Sequence, residues 1–161
     1  MVNTSDTPGV IAPPPLIAVA AILLGVALDY LLPSKVVGAV LPFWPRVLIG
    51  VVLAGIGAML AIAAKQRFEA IGTNVPPWKP SLQLVTTGIY ARVRNPMYVG
   101  TMLLVLGIGV WLASDWILVL LIPTGIILHY GVVLREERYL ETTFGEDYLR
   151  YKRSVSRWGF W

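Results

Sequence analysis

Four long apolar runs constrain this chain more than any other feature of its sequence. They extend from about Pro15 to Leu32, from Val47 to Ala64, from Met97 to Ala113 and from Trp116 to Leu134. An α-helix needs roughly 20 apolar residues to cross the hydrocarbon core of a bilayer, with a lower bound near 17. All four runs meet that bound. The sequence therefore predicts an all-α fold, an integral membrane bundle with about four transmembrane helices.

The composition excludes most other classes of protein. Of the 161 residues, 57% are hydrophobic and only 14% are charged, whereas a soluble domain carries about 25% charged residues. A soluble enzyme, a disordered tail and a coiled coil are all inconsistent with these values. The chain has no cysteine, so disulfides, thiolate metal sites and a nucleophilic thiol are excluded. We expect no metal centre.

The basic residues predict how the helices are oriented. Eleven of the 13 Lys and Arg residues lie either in the segment Lys65 to Asn95 or in the tail after Leu134. These two regions share one side of the membrane if four helices span it, and the positive-inside rule assigns that side to the cytoplasm. We therefore expect both termini in the cytoplasm and a bacterial or archaeal inner membrane. The net charge of +4 then serves orientation and anionic lipid rather than nucleic acid.

A tight hairpin is expected to bring two polar clusters together. Only Ser114-Asp115 separates the third and fourth runs, so the start of the third and the end of the fourth should lie side by side. The first cluster is the segment 88–100, in which Asn95 suits a helix N-cap and Pro96 the first helical turn. The second is Glu136-Glu137, seven residues past His129 and therefore nearly on its helical face. An ionisable side chain within a span, such as His129, is a functional candidate.

Each cluster also has a purely structural interpretation. Arg92 and Arg94 could set membrane orientation, and the acidic pair could form a solvated face beside Arg135 and Arg138. His129 could be a neutral imidazole that is hydrogen-bonded between helices. Acids at a helix C-terminus oppose the helix dipole, however, at a cost of a few tenths of a kcal/mol each.

The spacing and residues of these clusters resemble a known signature. The segment reads Arg94-Asn95-Pro96-Met97-Tyr98-Val99-Gly100, and Glu136-Glu137 follows after one hairpin. This is similar to the C-terminal signature of the isoprenylcysteine carboxyl methyltransferase and phospholipid methyltransferase superfamily, whose usual form is Arg-His-Pro-x-Tyr, a membrane hairpin and Glu-Glu. Gly88-Ile89-Tyr90 and the tail from Tyr139 to Tyr148 resemble it too. The resemblance covers roughly Thr73 to Trp158, about half of the chain.

The resemblance implies a helical bundle that binds S-adenosylmethionine in a cytoplasmic cavity formed by the hairpin, the preceding loop and the tail helices. It implies catalytic roles for Glu137 and Arg94, with the acidic pair holding the methionine ammonium or orienting the acceptor and Arg94 binding a carboxylate. The other residues expected at the cofactor are Gly88, Tyr90, Asn95, Pro96, Tyr98, His129 and Glu136. A sulfonium cation is attracted by carboxylates and aromatic faces, which agrees with this set.

One position departs from the signature. The usual His is Asn95 here, and an amide cannot shuttle a proton. Methylating a carboxylate needs no base, whereas methylating an ammonium first requires removal of a proton. The departure therefore favours an acceptor that is already nucleophilic at neutral pH. An isoprenylcysteine-type carboxylate, a phospholipid amine and a thiol all remain candidates for this lipophilic, membrane-embedded acceptor.

Two other functions stay open at this point. Sterol reductases resemble the same superfamily in their C-terminal region and bind NADPH, whose phosphates Arg92, Arg94 and Arg135 could serve. A non-enzymatic membrane scaffold is the third alternative.

The chain is expected to form one membrane domain, with residues 1–72 holding two spans and residues 73–161 forming the catalytic half. Glycines within the spans, among them Gly50, Gly55, Gly57 and Gly107, should allow close helix packing and leave a homodimer open. The Pro-dense segment 76–80 should not be helical. After a break at Gly145, the tail is interpreted as an amphipathic helix on the membrane surface, with Glu146-Asp147 in its first turn.

Overall fold

The computed structural model describes residues 7–74, 76 and 79–159, and all regular secondary structure in these ranges is helical. The Pro77 and Trp78 positions of the Pro-dense segment lie outside the described residues. Two helical turns are not α-helical: a 3-10 turn at Gly88–Ala91 lies in a loop, and a π-helical turn at His129–Val133 joins two α-helices. The α-helices are α1 (Pro14–Leu31), α2 (Val36–Val40), α3 (Phe43–Ile71), α4 (Pro96–Leu112), α5 (Asp115–Leu128), α6 (Leu134–Phe144) and α7 (Glu146–Ser154).

The membrane-spanning elements match the predicted class. Three helical stretches are long and apolar enough to cross a bilayer, namely α1, α3 and the continuous stretch from Asp115 to Phe144. The apolar helix α4 has 17 residues, at the lower bound for a span. Large apolar side chains on α1 and α3 are exposed on the surface of the bundle, as lipid-facing residues are. The prediction of an all-α membrane bundle is confirmed, whereas the number of crossings stays a prediction.

Helix α3 is longer at both ends than the apolar run that predicted it. It begins at Phe43 because Pro45 falls in its first turn, where proline is tolerated. At the other end it continues past Ala64 through a polar stretch and ends at Gly72, which adopts the left-handed conformation with φ of 76°. The apolar run predicts only the part of α3 that suits the hydrocarbon core of a bilayer. The polar extension of α3 beyond Ala64 packs near the tail.

Glycines allow α3 and α4 to pack at close range. A Cβ on Gly50 would lie 2.6 Å from the carbonyl oxygen of Gly107, and one on Gly57 would lie 2.5 Å from that of Gly100. No side chain fits between the two backbones at these positions, as in other small-residue membrane contacts. The packing predicted for Gly50, Gly57 and Gly107 is confirmed. It is wrong for Gly55, which faces open space.

The predicted hairpin joins α4 to α5. Ser114 is the N-cap of α5, and its Oγ accepts a hydrogen bond of 3.0 Å from the amide of Ile117. The next residue, Asp115, accepts hydrogen bonds from the amides of Val36 at 2.7 Å and Val37 at 2.9 Å. This carboxylate therefore caps α2 and ties the loop between α1 and α3 to the turn of the hairpin.

The tail follows its predicted local structure but not its predicted environment. The helix breaks at Gly145, where φ is 54°, and Glu146 begins α7. Tyr148, Tyr151 and Val155 lie on one face of the tail, and that face is buried in a cluster with Ala64. The membrane-surface interpretation is therefore wrong for this face of α7, because the extension of α3 and the loop before α4 supply a protein surface that covers it.

Candidate functional site

A cleft opens at the end of the bundle where α3 ends and α4 begins. It is bounded by the loop before the 3-10 turn, by α6 and by α7, and it holds about 850 Å³ of empty space including its open mouth. Its walls are mixed, with charged and phenolic groups beside apolar side chains. The lining residues are Pro8, Phe68, Asn74, Pro76, Lys79, Ser81, Gln83, Leu84, Val85, Tyr90, Arg94, Asn95, Met97, Tyr98, Glu136, Glu137, Tyr139, Leu140, Tyr148 and Tyr151.

Glu137 is the centre of a buried ionic network. Arg157 binds it in a bidentate manner, with its Nε 2.8 Å from Oε1 and its Nη2 2.8 Å from Oε2. Arg94 Nη2 lies 3.3 Å from Oε1, and Lys152 Nζ lies 4.0 Å from Oε2. Paired geometry of this kind gives strong, directional hydrogen bonds. Glu137 is therefore engaged by protein cations.

Arg94 has hydrogen-bonding capacity left over. Its side chain is only 8% exposed, and its Nε and Nη1 atoms are buried without a hydrogen-bond partner among the described residues. Buried polar groups are almost always hydrogen-bonded, so such a group calls for an explanation. Nε and Nη1 lie on different edges of the guanidinium, so a ligand anion in the cleft that Arg94 lines could accept a hydrogen bond from either nitrogen.

Glu136 has different partners from its neighbour. Its Oε1 accepts a hydrogen bond of 2.6 Å from the hydroxyl of Tyr98. No Lys or Arg nitrogen of the described residues lies within 4.0 Å of its carboxylate. A carboxylate in the wall of a cleft without a protein counter-ion can bind a cationic group of a ligand.

Asn95 occupies the N-cap position of α4, with Pro96 as the first helical residue, as predicted. Its side chain does not cap the helix, however. Its Nδ2 instead donates a hydrogen bond of 3.2 Å to the carbonyl of Arg157, and the amide of Arg94 donates one of 3.0 Å to the carbonyl of Ser156. The signature segment is thus held against the tail by one side-chain and one backbone hydrogen bond.

Three tyrosines form a neutral part of the wall. Burial raises the pKa of Tyr90, Tyr148 and Tyr151 above the ordinary value for a phenol, and the negative charge of Glu137 raises that of Tyr148 further. Tyr151 uses its proton to donate a hydrogen bond of 2.7 Å to the carbonyl of Tyr90. The phenols therefore stay protonated and present aromatic faces and hydroxyls rather than charges.

Six of the nine site residues that were predicted from the sequence line the cleft. Those that line it are Tyr90, Arg94, Asn95, Tyr98, Glu136 and Glu137. Gly88, with φ of 67°, lies against the side chain of Arg67, and Pro96 is buried at the start of α4. These two residues shape the backbone beside the cleft and do not line it.

His129 lies in a separate cavity. Its neighbours there are Met102, Gly125, Leu128 and Trp158, and Tyr98 lines both spaces. The π-helical turn that begins at His129 explains the separation, because its wider turn rotates later residues relative to a regular α-helix. Position 136 therefore does not share the face of His129, and the seven-residue spacing overstated their proximity.

Several lining residues were not singled out by sequence reasoning. Ser81, Gln83, Leu84 and Val85 of the loop line the cleft, and Arg157 adjoins it through its bond to Glu137. Arg157 lies 20 residues after Glu137, a separation with no helical periodicity. The resemblance of the tail from Tyr139 to Tyr148 to the family signature was the sequence signal that pointed to the tail.

The arginines considered for NADPH do not converge. Of the three, Arg94 lines the cleft, whereas Arg92 is exposed. Arg135 donates a hydrogen bond of 2.8 Å to the carbonyl of Gly9. A phosphorylated dinucleotide would need several cations aimed at its phosphates, so nothing in this arrangement favours the reductase.

Comparison with known proteins gives an independent view of the same region. Residues 45–147 match the family model described as phospholipid methyltransferase. An uncharacterized protein of Haemophilus influenzae is 36% identical over 64 residues, which are 38% of this chain and 98% of that protein.

A second relative has a named activity. The protein-S-isoprenylcysteine O-methyltransferase of Schizosaccharomyces pombe is 37% identical over 73 residues, or 45% of this chain. The match covers 30% of the length of that yeast protein.

Proposed function

Because the chain belongs to the phospholipid methyltransferase family, a family of membrane methyltransferases, we propose that it transfers a methyl group from S-adenosylmethionine to a lipophilic acceptor in the membrane. The observation that carries this proposal is the buried guanidinium of Arg94, which lines the cleft with two unpartnered nitrogens. The carboxylate of Glu136 lies in the same wall and has a phenol as its partner.

These two residues suit the methionine end of the cofactor. An amino acid zwitterion carries a carboxylate and an ammonium, and the cleft offers an incompletely paired guanidinium for the first and a carboxylate for the second. Tyr90, Tyr148 and Tyr151 add aromatic faces, which attract a sulfonium cation. Glu137 is bound by Arg157 and Arg94, so we assign it a positioning role, in which it fixes Arg94 for the carboxylate.

When bound, S-adenosylmethionine supplies an electrophilic methyl group: the acceptor lone pair forms the new bond to carbon while the sulfur–carbon bond breaks, leaving a neutral thioether. The protein contributes mainly alignment of the two reactants and exclusion of water. Tyr98 lines both the main cleft and the apolar cavity beside α4 and α5. Asn95 cannot remove a proton, so we propose an acceptor that is nucleophilic at neutral pH, with a carboxylate first and a thiol or phospholipid amine as alternatives.

The cleft is proposed to face the cytoplasm, together with both termini. Residues 73–161 carry most of its walls, and residues 1–72 supply membrane anchorage and part of the wall through Pro8 and Phe68. The mixed charges of the cleft and the apolar surface of the bundle suit a polar cofactor and a lipid-like acceptor. Nucleic acid has no place in this proposal.

The direct test is calorimetric binding of S-adenosylmethionine and S-adenosylhomocysteine to the purified protein in detergent. We expect saturable binding of both ligands, weakened about tenfold by Glu136→Gln, because that substitution removes the charge offered to the ligand ammonium. Glu146→Gln is the matched control, since Glu146 is exposed and pairs with Arg153 outside the cleft. The control should bind like the native chain.

The alternatives give different results in the same experiment. Binding of NADPH without S-adenosylmethionine would favour the reductase. A folded, lipid-supplemented sample that binds none of these ligands would contradict the proposal and favour the scaffold. Equal weakening by Glu136→Gln and Glu146→Gln would remove Glu136 from the site.

A further inference from the structure

We infer that residues Pro8 to Ile11, here called the N-terminal strap, close the mouth of the cleft and slow release of its ligand. The inference rests on the proposed function for the identity of that ligand. No part of the family signature includes these residues. Pro8 nevertheless lines the cleft beside residues of α4, α6 and the loop, although it lies more than 120 positions from Glu136 in sequence.

The strap is docked by backbone contacts on the π-helical turn. The amide of Ile11 donates a hydrogen bond of 3.2 Å to the carbonyl of Gly131. A π-helical turn departs from the regular i to i−4 pattern of an α-helix and is often found at functional sites. Here its middle residue accepts a hydrogen bond from a distant segment, which gives the irregular turn a specific partner.

The side chain of Ile11 packs directly against the backbone of Gly131, where any other residue would have a side chain. A Cβ on Gly131 would overlap Cδ1 of Ile11 and would lie 2.7 Å from its Cγ1. Any larger residue at position 131 must therefore displace the side chain of Ile11. Gly131 is buried, and the overlap identifies Ile11 as the group that covers it.

A third contact holds the strap next to Pro8. Arg135, one turn after Gly131, donates a hydrogen bond of 2.8 Å from Nη1 to the carbonyl of Gly9. Hydrogen bonds from charged donors are stronger than neutral ones. The three contacts hold Gly9 and Ile11 against the helical stretch that carries Glu136, so Gly131 and Arg135 act as positioning residues for the wall formed by Pro8.

The test uses the absence of native cysteine to report on the cleft. In a Ser81→Cys background, the single thiol lies in the lining of the cleft, and its rate of reaction with a soluble maleimide measures access. We expect Gly131→Leu and Ile11→Gly each to raise that rate about five- to tenfold. The double variant should return toward the native rate, because it moves the side-chain volume from the strap to the helix.

The same set of variants, without the reporter cysteine, is then used to measure release of bound S-adenosylhomocysteine. The two single substitutions should speed release about five- to tenfold, and the double variant should restore it. Gly55→Leu is the matched control, since a side chain at Gly55 meets open space. Ile11→Gly alters only the strap, so its result does not depend on whether the helix tolerates Leu at position 131.

The outcomes separate the strap from the proposed function. Equal maleimide rates in all variants would overturn the strap, whatever the protein binds. Faster labelling with unchanged release of S-adenosylhomocysteine would overturn its role in retaining the ligand. If the native protein binds no S-adenosylhomocysteine, the proposed function fails, and with it the retention of that ligand, while the maleimide rates still decide whether the strap covers the cleft.

Discussion

Two adjacent carboxylates in α6 have different surroundings. Glu136 accepts a hydrogen bond from Tyr98, whereas Glu137 is enclosed by cations, of which Arg157 binds it through both oxygens. Successive residues of an α-helix point about 100° apart, so one of the pair faces α4 and the other faces the tail. This difference in partners is the basis for assigning ligand binding to Glu136 and positioning to Glu137.

The residue scale carries a prediction about Glu137. The Glu137→Gln substitution leaves Arg94 buried without its counter-ion and deprives Arg157 of a bidentate partner. We expect a loss of about 3 kcal/mol in the free energy of unfolding. Once Glu137 is neutral, the desolvation of the buried Arg94 charge is no longer offset by an opposite charge. Thermal unfolding in detergent, followed by circular dichroism, measures the change.

Glu146→Gln is the control for this prediction also. It breaks an exposed pair with Arg153, and such pairs contribute about 0–1 kcal/mol. If the two variants unfold at the same temperature, the ionic network does not stabilise the tail.

At the scale of elements, the contact between α3 and α4 determines where the signature segment lies. The glycines of the two helices let their backbones approach, and the polar end of α3 then reaches the loop and tail around the cleft. Packing in a bilayer depends on close van der Waals contact more than on the hydrophobic effect, so small residues matter at this contact. The position of Arg94, just before α4, depends on this packing.

The prediction at this scale compares two glycines of α3. Gly57→Ala would place a Cβ 2.5 Å from the carbonyl oxygen of Gly100 and 2.6 Å from the amide nitrogen of Leu104. Because both obstacles are backbone atoms, the helices must separate, and we expect a loss of about 1–3 kcal/mol. Gly55→Ala meets no neighbour and should leave stability unchanged or slightly raised. Unfolding by sodium dodecyl sulfate in mixed micelles measures both variants, and equal stability would contradict the close contact.

On the scale of the whole molecule, the fold separates two ends. The Lys- and Arg-rich loop and tail meet at the end that holds the cleft, where the amide of Arg94 binds the carbonyl of Ser156. The loop after α1 meets the α4–α5 turn at the other end, where Asp115 accepts its backbone amides. Most of the Lys and Arg residues therefore lie at the end of the bundle that holds the cleft. The positive-inside rule assigns such an end to the cytoplasm.

The topology prediction follows from this asymmetry. We expect an impermeant maleimide to label Lys35→Cys in intact spheroplasts of a bacterial host and to label Thr143→Cys only after the membrane is opened. Both positions are exposed in the structure, and the native chain has no cysteine to interfere. The reverse pattern would place the cleft outside the cytoplasm.

Sequence reasoning predicted the local features of the site well and its long-range contacts poorly. Six of the nine candidate residues line one cleft because the hairpin brings the start of α4 beside the end of the fourth run. His129 was expected beside Glu136 and lies in another cavity, since a single π-helical turn changes the phase of the residues that follow. No periodicity within one helix could have pointed to Arg157.

The sequence by itself determined the features that depend on neighbouring residues. Apolar length determines the membrane spans, a two-residue linker determines the hairpin, and Gly145 determines the break in the tail, because each depends on local backbone chemistry. The tertiary structure decided what those elements contact. It packed one face of α7 against α3 and the loop before α4, paired Glu137 with Arg157, and brought Ile11 to Gly131. Such contacts follow from how packed surfaces fit together, which no local pattern records.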